Sequence, residues 1–269
     1  ALAMADDERE RGWILRGDER LGGAWPEPDL PLADVGAVLT AHGVTGVTDA
    51  TPFADGDGFA TLAAARRGGA LLQRTVGTGG SALAETPPPD ELARGPVKLV
   101  VGDHELPDPD ELAAAVSAAH RAGRPVAVHC VTRVGLVLAL VAWEAVGSGP
   151  GDRIEHGSVI PLELLATIAE LGLTVVTQPG FVRARGDAYL REVEPDDRPP
   201  LYRCGSLLDA GVGVGMSTDA PYGPVDPWVA VAAAADRRTV TGTVLGSAER
   251  VPARRALDGF LSTPDDPGG

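Results

Sequence analysis

Two histidines stand at matching places in successive units of this sequence. The run Val126-Ala127-Val128-His129-Cys130-Val131 is followed by a helix-like stretch from Val134 to Val146, and then by Arg153-Ile154-Glu155-His156-Gly157. A short Val-rich run followed by a helical segment is the pattern of a buried parallel strand feeding its crossover. Each unit therefore ends its strand in a His. In α/β barrels the strand C-termini carry the chemistry, because the βα loops gather there. Two neutral imidazoles at neighbouring strand ends suggest a shared divalent metal. Lys98, on the strand opened by Pro96-Val97, and Asp219, in Ser217-Thr218-Asp219-Ala220-Pro221, stand at further strand ends. The imidazoles and Asp219 make a ligand set for one or two ions such as Zn²⁺. Such an ion lowers the pKa of its water to about 7. Asp219 is then the group to take the proton and pass it to a leaving amine, although Asp in this position also suits a turn before Pro221.

Lys98 is the only lysine; every other Lys or Arg position is Arg. Arg cannot give up its proton, so it forms neither a carbamate nor a Schiff base, whereas a buried Lys can form either. Carboxylated by CO₂, Lys98 becomes an anionic oxygen ligand able to bridge two ions. As an amine it is a Schiff-base nucleophile for a lyase, a reading that leaves the two His and Asp219 without a purpose.

Elements that position these residues follow a regular alternation. Strands are expected to start near residues 44, 70, 96, 125, 152, 174 and 212, with helices between them, several stopped by Gly such as Gly43, Gly123 and Gly172. Strand–helix alternation means a parallel sheet. Polar residues at strand ends along the whole chain favour a (β/α)8 TIM-like barrel over an open sheet, which would gather them at a switch point. Seven units are visible, one short of eight. Residues 1–31 read as an irregular lead-in, 32–245 as the barrel, and 246–269 as a terminal helix and loose tail. Residues 182–200 are charged and aperiodic and read as a long lid loop over the strand ends. Gln178, Phe181 and Tyr222, on loops after strands, are the candidates for substrate contacts. His42 and His120 fall on expected helices and read as surface residues. His104, six positions beyond Lys98, is near enough to reach the strand ends. Cys130 alternates away from His129 and reads as packed.

Composition narrows the partners. A net charge of −15 argues against nucleic acid and anionic membrane. Two Cys make no disulfide framework, and no apolar run approaches the length of a span. A cytoplasmic protein acting on a small molecule is expected, with self-association left open.

The sequence resembles the amidohydrolase superfamily, in the branch that includes N-substituted formamide deformylases. The resemblance rests on Val97-Lys98-Leu99, Val128-His129-Cys130, Arg153-Ile154-Glu155-His156, Thr177-Gln178-Pro179 and Ser217-Thr218-Asp219-Ala220-Pro221. It extends through Val225-Asp226-Pro227-Trp228 to Arg237-Arg238-Thr239, and so covers about residues 32–245. It implies a (β/α)8 barrel holding one or two divalent ions and hydrolysing amide or related C–N bonds. By this resemblance Lys98, His129 and His156 are metal ligands, and Asp219 is both ligand and general base and acid. Two features depart from the pattern. The His-x-His pair of the first barrel strand is missing, and neither half of the family's β-sandwich is visible. The sequence thus reads as a piece of a longer protein or as a barrel without its first strand. In the latter case a non-catalytic barrel that binds a small molecule is the competing reading.

Overall fold

Short Val- and Gly-rich runs form the strands, and the Ala- and Leu-rich segments between them form helices. The computed structural model describes residues 31–51, 56–80, 88–102, 106–262 and 266–268. The expected lead-in, except for Pro31, and His104 lie outside the described residues. In chain order the elements are α1 (Leu32–Ala41), β1 (Gly46–Asp49), α2 (Gly56–Arg67), β2 (Arg74–Gly77), β3 (Ala93–Arg94), β4 (Val97–Val100), α3 (Pro109–Arg121) and β5 (Val126–Cys130). Next come α4 (Arg133–Val146), β6 (Arg153–His156), α5 (Leu165–Glu170), β7 (Thr174–Thr177), α6 (Gly180–Glu192), α7 (Gly205–Asp209), β8 (Gly213–Met216), α8 (Pro227–Asp236) and α9 (Ala253–Leu261). Local chemistry marks the helix starts. Asp108 accepts from Asp110 N at 2.8 Å and Pro109 opens α3, while Thr132 Oγ1 accepts from Gly135 N at 3.1 Å to start α4.

Every ladder is parallel: β1-β2-β3 form one sheet and β4-β5-β6-β7-β8 another. The two are joined where β2 runs on past Gly77. The N–H groups of Gly95 and Lys98 donate to Gly77 O at 2.9 Å and Gly79 O at 2.8 Å. β3 and β4 are therefore one strand interrupted at Gly95-Pro96, where Pro has no N–H to offer a ladder. With β3 and β4 counted as one, seven parallel passes follow one another in sequence order among the described residues.

Side-chain alternation divides the sheet into two faces. Val97, Leu99, Val126, Val128, Cys130, Ile154, Val175, Val214 and Met216 meet the helices in one apolar core. Trp143, Leu136 and Leu140 of α4 and Leu112 and Val116 of α3 fill it from the helix side. α9 joins this core through Ala256. The opposite, inner face carries the polar residues, and the register sets them in rows. Lys98, Ala127, Arg153, Thr174 and Gly213 form one row, and Val100, His129, Glu155, Val176 and Gly215 the next, nearer the strand ends.

Three expectations need correction. Residues 182–200 are not a loop: α6 spans most of them, with a 3₁₀ turn at Pro195–Asp197, and Phe181, Val182 and Gly186 are buried. Gly186 is required there, because a Cβ would come within 2.6 Å of Thr239 Cγ2. The tail is not loose where it is described: Pro267 and Gly268 lie against Gly213 and Gly215 of β8, and a Cβ on Gly215 would come within 2.9 Å of Pro267 Cβ. His120 is not a lone surface residue: its Nε2 lies 2.9 Å from Asp152 Oδ2.

Asp152, at the start of β6, ties together the N-terminal ends of the strands. Its buried carboxylate also accepts from Val126 N at 2.8 Å, Trp143 Nε1 at 2.8 Å and Gly149 N at 2.9 Å. Truncation would strand two buried donors, at a cost of about 1–3 kcal/mol each, and the part-buried Gly149 N, moderated by relaxation. Asp152→Ala is therefore expected to lose at least about 3 kcal/mol in urea unfolding. A loss below about 1 kcal/mol would show that this carboxylate does not hold the sheet bottom together.

Candidate active site

The strand ends bring the two histidines together. Cys130 of β5 is opposite His156 of β6 in the register, so His129 is one residue back along the neighbouring strand. Their rings lie 4.4 Å apart, centroid to centroid, at 72°. Strict alternation would send His156 to the helix side with Ile154. Instead its backbone leaves the strand at φ 69°, and the ring turns to the inner side with His129. Asp219 has the same left-handed backbone, φ 52°, in the turn after β8, where its carbonyl accepts from Gly223 N at 3.0 Å. Such φ values are uncommon for residues with a Cβ and concentrate at functional sites.

Gln178 decides which nitrogen of His156 is available. Its Nε2 donates to Val176 O at 3.0 Å and lies 2.9 Å from Ser217 Oγ. A backbone carbonyl only accepts, so the amide nitrogen is fixed on that side and Oε1 faces His156 Nδ1 at 2.9 Å. Oε1 cannot donate, so Nδ1 carries the hydrogen and Nε2 keeps its lone pair. Gln178 is thus a positioning residue, only 2% exposed. Its amide is engaged with three protein groups, His156, Val176 O and Ser217.

Buried charge surrounds these rings. Arg153 Nε holds Glu155 Oε1 at 2.8 Å, both on the inner face. Burial alone would push the Glu155 carboxyl up, but Arg153, Lys98 and His156 together outweigh it and hold it at about 2. Burial lowers Lys98 below the usual ammonium range, opposed by Glu155 and Asp219 and reinforced by Arg153. Burial, with help from His156 and Lys98, holds His129 neutral down to about 3. His156 is likewise lowered by burial, against the pull of Asp219. Burial raises Asp219, against His156 and Lys98. His156 and Lys98 therefore each act on both His129 and Asp219.

Phe181 and Tyr222 sit differently. Phe181 is buried and packs edge-on against Tyr202, 5.5 Å between centroids. Tyr222 is exposed. Arg185, which the sequence reading passed over inside the supposed loop, connects them. Its guanidinium lies 4.8 Å from the Phe181 ring centroid and donates to Tyr222 O at 2.8 Å. The Phe-x-x-x-Arg spacing on a helix is the signal that points to this contact, once residues 180–192 are recognised as helical.

The donors suit a divalent cation in type. Two neutral imidazoles face each other, and one is held with Nε2 open; a carboxylate and a lysine complete the set. Among the described residues, no three His, Cys, Asp or Glu side chains are close enough to cage an ion by themselves. To hold an ion, the His pair would need Lys98, as its carbamate, or an approach of Asp219, as the third ligand.

A parallel α/β sheet with convergent polar side chains at its strand C-termini is the class that fold and site define. The chain belongs to the amidohydrolase family, whose model matches residues 32–260. It is 30% identical over 155 residues to N-substituted formamide deformylase of Arthrobacter pascens, a stretch covering 54% of this chain and 28% of that protein. It is 25% identical over 137 residues to the putative amidohydrolase YtcJ of Bacillus subtilis (strain 168), covering 50% and 26%. Its fold superposes on an uncharacterized metal-dependent hydrolase from Pyrococcus furiosus with a TM-score of 0.75 at 24% identity, covering 90% of this chain and 57% of that one. The matched stretches thus span under a third of the curated relatives' length. Among the described residues no helix is long and apolar enough to cross a membrane.

Two measurements test this geometry. Nitrogen NMR of the His156 ring should show the Nδ1–H tautomer, and Gln178→Ala should release it to a mixture; an unchanged ring would remove Gln178 from this role. The second concerns pH in metal-free protein. His129 takes its proton near pH 6.5 when unfolded but only at about 3 when folded. The unfolded chain holds more protons between those values, so stability is expected to fall as pH drops below about 6.5. His129→Gln should flatten the fall in urea midpoint between about pH 6.5 and about pH 5, above the window where Glu155 titrates. An identical slope in the variant would assign it to another group.

Proposed function

We propose that this chain carries the catalytic end of a metal-dependent amidohydrolase that cleaves an amide or related C–N bond of a small molecule. The observation that supports it best is the His129–His156 ring pair, with His156 Nε2 left open by Gln178. His129, His156, Asp219 and a carboxylated Lys98 would hold one or two divalent ions, with zinc the best match to the donors. A cation there supplies a Lewis acid that polarises the carbonyl and acidifies water. Asp219 takes the proton from the attacking water and delivers it to the leaving nitrogen. Burial raises its pKa, which suits a group that must both accept and return a proton. Gln178 keeps His156 in its working tautomer, and Arg153 with Glu155 balances the charge beneath. In this reading the seven parallel passes among the described residues belong to a (β/α)8 barrel whose remaining strand would lie between β8 and β1.

The lowered Lys98 pKa also suits a Schiff-base amine. Borohydride trapping with a carbonyl compound separates that reading: a covalent adduct on Lys98 would favour a lyase.

Substitutions test the hydrolase. His129→Ala and His156→Ala should each lose bound metal by elemental analysis, together with turnover. Asp219→Asn should keep much of the metal, yet lose about a hundred-fold or more in kcat, because an amide cannot accept the proton. Lys98→Arg keeps a cation that cannot be carboxylated, and should abolish a second metal equivalent. Full metal content and full rate in Lys98→Arg would end the carbamate role.

A further inference from the structure

The helix that replaces the expected loop places a cation beside the site. Arg185, on the exposed side of α6, is pinned on two sides: its guanidinium stacks on Phe181 and donates to Tyr222 O. Tyr222 belongs to the turn that starts at Asp219 and closes with Gly223 N on Asp219 O. The guanidinium thus helps to join the helix after β7 to the turn after β8, where the Phe181 ring also packs close to Gly223. Burial raises the Asp219 carboxyl, and the Arg185 charge is among those that oppose the rise. Among the described residues Arg185 makes no ion pair, and its hydrogen bonds to Tyr222 O and to the Tyr189 side chain leave N–H donors to spare out of five. The remaining donors form a planar fork suited to a carboxylate. Its setting makes the point sharper. In a chain of net charge −15, a general electrostatic field repels anions, so an anionic ligand needs a local cation at the mouth. A side chain already held by a ring and a carbonyl loses less freedom when it binds.

We propose that Arg185 anchors a carboxylate of the substrate, so that the amide taken by this site is an anionic one, with its carboxylate a few bonds from the scissile C–N. Tyr222, exposed beside the guanidinium, flanks the same position. This rests on the hydrolase reading for the reaction but not for the binding, and the two can be tested apart.

N-formyl-phenylalanine and N-formyl-phenethylamine differ only in the carboxylate and serve as paired probes. Their binding is measured by calorimetry and their hydrolysis by amine release, on wild-type protein with added zinc. The wild type should prefer the anion by about ten- to hundred-fold in Kd, the span of a charge-assisted hydrogen-bond pair. Added salt should weaken that preference. Arg185→Gln should reduce the ratio to near one, and Arg185→Lys should restore part of it; circular dichroism confirms that each variant folds. Equal affinities in the wild type, no binding of either probe, or an undiminished preference in Arg185→Gln would overturn the anchor. An Arg185-dependent preference without hydrolysis of either probe would keep the anchor and count against the hydrolase. Hydrolysis of both at one kcat/KM, indifferent to Arg185, would do the reverse.

Discussion

Charge buried on the inner face of a parallel sheet persists only if it is compensated there. This constraint organises the chain. The register places Lys98 and Arg153 in one row and Glu155 in the next. Two cations and one carboxylate therefore share a space from which water is largely removed. Glu155 remains ionised because Arg153 touches it and Lys98 is near. The surplus positive charge lies in the deeper row, and Asp219, beyond the end of β8, is a second acidic group that opposes it at Lys98. The imidazoles, held neutral by the same burial, add no further charge. Ala127, between Lys98 and Arg153 in the row, leaves room for both long side chains.

A chain of hydrogen bonds spreads the effect across three strand ends. His156 ends β6, Gln178 follows β7 and Ser217 follows β8, and the amide of Gln178 touches the other two. Each strand end is thus indexed to its neighbours by a polar contact as well as by the ladder. The helix side of the sheet performs a separate task, in which an apolar core holds the strands without dictating what the inner face carries. At the other end of the sheet, Asp152 collects the first N–H of β5, the Trp143 indole and His120. Stability and chemistry are therefore separated along the strand axis.

How much of this was legible in the sequence depends on which interaction fixes each part. The strands that carry His129 and His156 were readable because buried parallel strands are runs of Val and Ile, and Cys130 followed from alternation. The family was readable from short motifs spread along the chain. α6 was not readable: Arg183, Arg185, Asp187 and Arg191 crowd its sequence, and its buried face includes Gly180 and Gly186, which carry no helical signal. What makes Gly186 suitable is Thr239, 53 positions away along the chain. Gln178 was noticed, but its hold on His156 was not readable, because only the positions of Val176 O and Ser217 fix how its amide is turned. Arg237 shows the limit most clearly. It caps α8 at φ 55° and is buried, donating to the carbonyls of Leu201, Tyr202 and Leu245. Nothing local in the sequence separates it from the exposed Arg238 next to it.

The left-handed backbone at His156 and Asp219 has a consequence for how this protein can change. Glycine is the residue that relaxes such a φ, and of order 1 kcal/mol is at stake at each position. Neither position can take it without deleting the imidazole or the carboxylate. A search for stabilising substitutions, by selection or by design, would therefore be drawn to these two sites and would silence the chemistry on reaching them. Under the proposed function, variants that are more heat-resistant and inert should arise here more readily than elsewhere on the strand ends, and the native residues would mark where durability is exchanged for reactivity.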